Sequence, residues 1–223
     1  RPPPNPSKGR SELTAYEAVF FDLGGVVLDS PLHAIAAYEG SIGIPVGTVN
    51  RVVVDTAPGG AWSRLERGEI SMEVFFGAFE ADCLAAGESL CARDMMERIA
   101  TSSGPRPAML RAIQKIRDRG LRVGAITNNW VPEAGREGAV SELAPLFDAF
   151  VESSVEGVRK PDPRIYEIAC QRLGVAAARA IFLDDIGGNL KAARKLGMAT
   201  IKVVTPEAAL EELSTLLGFD VAD

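Results

Sequence analysis

A chain of 223 residues, 47% of them hydrophobic, is long enough to bury a sizeable core, as one large domain or as a domain carrying an insertion. Lys and Arg number 24 against 30 Asp and Glu, and the resulting net charge of −6 excludes the basic footprint of a nucleic-acid or anionic-membrane binder, so a small anionic ligand would need positive charge of its own. Cys83, Cys91 and Cys170 are odd in number and widely spaced, which speaks against a disulfide framework or a zinc site and for a reducing, cytoplasmic setting. No apolar run reaches the ~18 residues of a membrane span, and no signal-peptide pattern opens the sequence.

Residues 1–15, with Pro2, Pro3, Pro4 and Pro6 among small and charged residues, read as a flexible tail of the kind that links domains. Val19-Phe20-Phe21 then leads into Asp22-Leu23-Gly24-Gly25-Val26. An apolar run of strand length ending in a carboxylate and two glycines is how a buried parallel strand delivers one polar group to the edge of a sheet. The one histidine, His33, follows Pro31 at a helix start and reads as a surface or packing residue, which removes most Ser-His and Cys-His arrangements.

Residues 31–104 are helical in pattern, with Arg51-Val52-Val53-Val54 too short to outweigh its neighbours as a strand. Ser71 should cap a helix whose apolar stripe comprises Met72, Val74, Phe75, Phe76, Phe79 and Leu84, and Leu90 to Ile99 repeats the type. This stretch reads as a helical cap inserted between the first strand (core residues 16–30) and the rest of a sheet (105–223).

From Arg106 helices and strands alternate: a helix from Pro107 to Arg119, a strand from Leu121 to Ile126 running into Thr127-Asn128-Asn129, and a third strand over Phe147–Val151. After Arg159-Lys160-Pro161, Asp162 should cap a helix through Arg172. Strand Ala180–Leu183 ends in Asp184-Asp185 before a helix from Gly187 to Leu196, and strand Ala199–Val204 precedes a last helix capped by Thr205 and running through Leu217. Such alternation implies an α/β fold with a parallel, Rossmann-like sheet, whose ligands bind at the carboxyl ends of the strands. Asp22, Thr127-Asn128, Lys160 and Asp184-Asp185 all fall there. Each alone has a plain structural use as a turn or helix cap or a solvated charge. Together they need a hard divalent cation to offset mutual repulsion, and Mg²⁺ suits oxygen donors. Asn189, four residues after Asp185, is spaced to orient it.

The segments Phe21-Asp22-Leu23-Gly24-Gly25-Val26, Ile126-Thr127-Asn128, Lys160-Pro161 and Asp184-Asp185-Ile186-Gly187-Gly188-Asn189 resemble the motifs of the haloacid dehalogenase superfamily. The runs Val151-Glu152-Ser153, Lys160–Tyr166 and Phe182–Leu190 are similar to its subgroup of phosphatase domains found in soluble epoxide hydrolase and acyl-CoA dehydrogenase family member 10. The resemblance implies a phosphatase acting on a small organic or lipid-like phosphate, with Asp22 as nucleophile. Mg²⁺ would be held by Asp22, Asp185 and the Gly24 carbonyl, Asp184 would hold a water on the ion, and Thr127, the Asn128 amide and Lys160 would grip phosphoryl oxygens. Gly24 stands where these phosphatases normally carry a second Asp, the general acid, so leaving groups needing little protonation are favoured, or an acid comes from elsewhere, with Asp29, Glu66 and Glu69 as candidates. Two other readings are a weakly active or inactive phosphatase-like module serving assembly or sensing in a longer protein, and a 2-haloacid dehalogenase, which would leave the Asp184-Asp185 pair unexplained. The apolar cap helices also leave room for a homodimer.

Overall fold

The computed structural model describes residues 16–102, 104–131 and 139–222, and the expected tail over 1–15 lies outside them. One parallel sheet has strand order β3-β2-β1-β4-β5, made of β1 (Ala18–Phe21), β2 (Arg122–Thr127), β3 (Ala149–Glu152), β4 (Ala180–Asp184) and β5 (Ala199–Lys202). The central strand is wholly buried because the two-residue period divides its apolar side chains between two cores: Val19 and Phe21 join one, Ala18 and Phe20 the other. β4 divides in the same way, Ile181 and Leu183 against Ala180 and Phe182. Gly124 of β2 leaves room for the Phe20 ring, since a Cβ there would lie 2.5 Å from its Cδ1.

Residues 31–102 form α1 (Pro31–Ile42), α2 (Thr48–Asp55), α3 (Ala61–Glu66), α4 (Met72–Ala85) and α5 (Ala92–Ser102), which enclose a third apolar cluster of their own. The Arg51–Val54 run is helical, inside α2. Ser71 caps α4 by accepting from the Val74 N–H at 3.3 Å, but the buried stripe is Met72, Phe75, Phe79 and Cys83. Val74 and Leu84 are exposed because they fall off the 3- and 4-residue steps that keep a helix face in line. Two chain crossings join this cap to the sheet side by side, Leu28 bridging to Pro105 and the Asp29 N–H donating to the Gly104 carbonyl at 2.9 Å.

The sheet is covered on both faces by helices that follow the cap in the chain. α6 (Pro107–Asp118) and α11 (Pro206–Leu217) bury Met109, Ile113, Leu210 and Leu213 on one face. α9 (Pro163–Leu173) and α10 (Gly187–Lys195) bury Ile165, Tyr166 and Leu190 on the other. The short α7 (Ala139–Leu143) and α8 (Ser153–Glu156) flank β3. Asp162 and Thr205 cap α9 and α11 with their side chains. Two strand limits differ from the sequence expectation by two residues, and the others by no more than one. β3 starts at Ala149, with Phe147 before it packed on Phe150 at 5.7 Å, and β5 stops at Lys202, so that Val204 is exposed. Among the described residues no helix is long and apolar enough to cross a membrane.

Candidate active site

The strand registers bring the polar ends together. Phe21 pairs with Ala125 on one side and Leu183 on the other, and the Asp22 N–H continues the ladder to the Leu183 carbonyl at 2.9 Å. Asp22 therefore emerges between the end of β2, where Thr127 is buried, and the end of β4, where Asp184 is fully buried.

Lys160 reaches this edge from the loop after α8. Its side chain is 1% exposed, and Nζ lies 2.8 Å from both Asp22 Oδ1 and Asp184 Oδ2, above the Phe182 ring at 5.4 Å from its centroid. Burial works to lower the lysine pKa, but the two carboxylates outweigh it and hold it above the ordinary value. The main chain of Lys160 is gripped by Asn128, whose Oδ1 accepts from the Lys160 N–H at 2.8 Å and whose Nδ2 donates to the Lys160 carbonyl at 3.1 Å. The Asn128 side chain thus holds the lysine loop, a contact outside the sequence expectation, which concerned its backbone amide.

Asp184 is saturated. Oδ1 accepts from the Ile186 N–H at 2.7 Å, Oδ2 from Lys160, and Asn189 Nδ2 donates to both oxygens at 3.2 and 3.1 Å. Asn189 thus orients Asp184, whereas its spacing pointed to Asp185. The helical i, i+4 relation holds only inside a helix, and Asp185 precedes α10, which begins at Gly187. Tyr166, buried beneath, donates its hydroxyl to the Asn189 carbonyl at 3.0 Å, and burial pushes its pKa up.

Asp185 turns toward the glycine pair instead. A Cβ on Gly25, which has φ +80°, would lie 2.2 Å from Asp185 Oδ2, so the carboxylate rests where any other residue would place a side chain. One oxygen each of Asp22, Asp184 and Asp185 can be chosen so that all three lie within 4.8 Å of one another. Asp22 and Asp184 thus share one ammonium, and Asp185 adds a third carboxylate beside them. Burial, reinforced by Asp184 and opposed by Lys160, pushes the Asp22 pKa well above the ordinary carboxylate range, and the same causes raise Asp185. Two oxygens on one Mg²⁺ are at most ~4.2 Å apart, so oxygens no more than 4.8 Å apart are close to the spacing of a shared ion. Asp22 fits such an ion because Oδ1 is taken by the Leu23 N–H at 2.7 Å and by Lys160, while no donor among the described residues reaches Oδ2. Asp185 fits through its Gly25 cradle, and saturated Asp184 stands behind the pair.

The three candidate acids are all paired with arginines: Asp29 with Arg106 at 3.4 Å, Glu66 with Arg159 at 2.7 Å and Glu69 with Arg67 at 2.6 Å. His33 is exposed on α1. Sequence reasoning missed Arg106, which donates to the Gly25 carbonyl at 2.8 Å, and Tyr166. Arg106 stands immediately after the expected break at Pro105, which was the available signal, whereas nothing local marks Tyr166.

Comparison with known proteins places this geometry among relatives. The chain is 39% identical over 216 residues to mouse acyl-CoA dehydrogenase family member 10, covering 96% of this chain and 20% of that protein. It is 31% identical over 217 residues to pig bifunctional epoxide hydrolase 2, covering 92% and 39%. It therefore spans a fifth to two fifths of the length of these curated relatives. A sesquiterpene phosphatase of Aspergillus oryzae is 25% identical over 206 residues, 92% of this chain and 98% of that one. Among solved structures, a HAD family enzyme of Bacteroides thetaiotaomicron in complex with magnesium and inorganic phosphate shares the fold, with a TM-score of 0.57 at 18% identity over 84% of this chain and 93% of that one. The model of the haloacid dehalogenase-like hydrolases matches residues 16–197, a span that takes in the cap, Asp22, Thr127, Lys160, Asp184 and Asp185, and the chain belongs to that family.

Proposed function

We propose that the chain is a Mg²⁺-dependent phosphatase that hydrolyses small organic or lipid-like phosphates through an aspartyl-phosphate on Asp22. The observation that carries this reading is the asymmetry of Asp22: Oδ1 is held by Lys160 and the Leu23 N–H, no donor among the described residues reaches Oδ2, and a carboxylate so held can turn one oxygen to an ion and the other to phosphorus. The Asp22 carboxylate attacks phosphorus as the P–O bond to the leaving group breaks. Water then attacks phosphorus, the bond to Asp22 breaks, and inorganic phosphate leaves with the carboxylate restored. Lys160 and Thr127 face the phosphoryl oxygens and stabilise their charge, and Asn128 keeps Lys160 in place. Asp22, Asp185 and the Gly24 carbonyl would hold Mg²⁺, which when bound supplies positive charge against those oxygens.

Gly24 supplies no proton to the leaving oxygen, and Asp29, Glu66 and Glu69 are engaged by arginines. The reading therefore favours acyl, anomeric or aryl phosphates, whose leaving groups need little protonation. The phosphatase among the relatives and the magnesium and phosphate in a structural neighbour are consistent with it. A phosphate-release panel over acyl, sugar, aryl and alkyl phosphates tests it, with and without Mg²⁺, on wild type and Asp22→Asn. Release that needs both the metal and Asp22 is the expected result, and no release across the panel sinks the reading in favour of a non-catalytic module.

A further inference from the structure

Lys160 has a neighbour that points the other way. Arg159 leaves the same loop toward the cap, where Nε lies 2.7 Å from Glu66 Oε2 and Nη1 donates to Ser63 Oγ at 2.6 Å, both on α3. The second oxygen of Glu66, Oε1, accepts from Trp62 Nε1 at 3.0 Å. Glu66 and Ser63 are buried. The cap comes close enough here that a Cβ on Gly68, just past α3, would lie 2.4 Å from the Ser154 carbonyl oxygen of α8. On its core side the loop is fixed by the two Asn128 hydrogen bonds to the Lys160 backbone.

We propose that the Arg159–Glu66 ion pair is a latch by which the cap sets the position of the loop carrying Lys160, making Arg159 and Glu66 positioning residues for the phosphoryl site. The physical reason is that separating the pair leaves the buried Glu66 carboxylate without its cation, and a buried charge stripped of its partner is costly. Cap and sheet pack around separate apolar clusters, so this charge pair, given direction by the Arg159–Ser63 hydrogen bond, decides their relative placement more sharply than apolar surfaces able to slide. Through the peptide bond between Arg159 and Lys160, displacement of α3 is felt at Nζ. The effect on turnover rests on the phosphatase reading above, whereas the coupling itself does not.

The chain carries its own reporter. Its two tryptophans, Trp62 on the cap and Trp130 beyond β2, meet edge to face across this boundary at 6.1 Å. Arg159→Met should raise acrylamide quenching of tryptophan emission and speed hydrogen exchange of the amides of residues 157–160. It should also lower kcat for acetyl phosphate or p-nitrophenyl phosphate by roughly 10- to 100-fold, the effect of about 1 Å of misplacement, with KM much less affected. Arg159→Lys, which keeps the charge, should recover part of each change, and Ser63→Ala should show a smaller change in the same direction should Arg159→Met not fold. Quenching that rises while loop exchange and kcat stay at wild-type values overturns the coupling, as does no change in any of the three. If wild type releases no phosphate, the phosphatase reading fails by itself, and quenching together with loop exchange still decides the latch.

Discussion

Replacing Gly25 by alanine tests the metal site at one atom. The new Cβ would fall 2.2 Å from Asp185 Oδ2, whereas ordinary van der Waals contact is about 3.5 Å, so the carboxylate must retreat by more than about 1 Å. Mg²⁺ demands near-ideal octahedral geometry at about 2.1 Å, so that displacement should weaken Mg²⁺ binding by about 10- to 100-fold, or ~1.4 to 2.7 kcal/mol. The left-handed conformation at φ +80° adds a strain of about 1–2 kcal/mol for any residue with a Cβ, which lowers the melting temperature of a chain of this size by roughly 2–8 °C. Gly43 separates the two effects. It has φ +78°, and a Cβ there meets nothing within 4 Å, so Gly43→Ala carries the strain without the collision. Calorimetric titration of Mg²⁺ into wild type and both variants is the assay. Both should melt lower, and only Gly25→Ala should lose metal affinity. Equal Mg²⁺ affinity in the two variants would refute the placement of Asp185 as a ligand.

Lys160→Met should destabilise the fold by roughly 3–5 kcal/mol in urea, since it leaves Asp22 and Asp184 buried without the ammonium 2.8 Å from each; Mg²⁺ should restore part of the loss, and a variant as stable as wild type would contradict the pairing. The native pKa values of Asp22 and Asp185 are raised, so without metal their stabilising contribution is full below the unfolded value of 3.8 and is lost as pH rises through the native values. Because Mg²⁺ binds the ionised carboxylates, the thermal shift it produces should grow as pH rises through their raised native values, and a shift independent of pH in scanning calorimetry would count against those carboxylates as ligands. Gly24→Asp should raise hydrolysis of simple alkyl phosphates by up to ~10²-fold by supplying the missing acid. The position can take a side chain, as a Cβ there meets only Pro31 Cδ at 3.4 Å and Cγ at 3.7 Å, and unchanged alkyl-phosphate rates would reject this account of Gly24.

The sequence by itself determined the order of helices and strands, the insertion of a cap after the first strand, and the edge at which the acids, the hydroxyl and the lysine meet. Those features are written in local patterns: apolar runs with a period of two or 3.6, caps such as Asp162 and Thr205, and a polar residue where each strand ends. Only the tertiary structure decided what each polar side chain holds. Asn128, expected to offer its backbone amide to a phosphate, also grips the Lys160 backbone with its side chain. Asn189 was spaced for Asp185 and binds Asp184. Arg159 and Glu66 meet although they lie 93 positions apart in the chain. Spacing along a chain predicts contact only while one regular element continues. Past the end of a strand or helix, the partner of a buried charge is chosen by which groups from distant segments desolvate it together, and nothing in the local sequence encodes that choice.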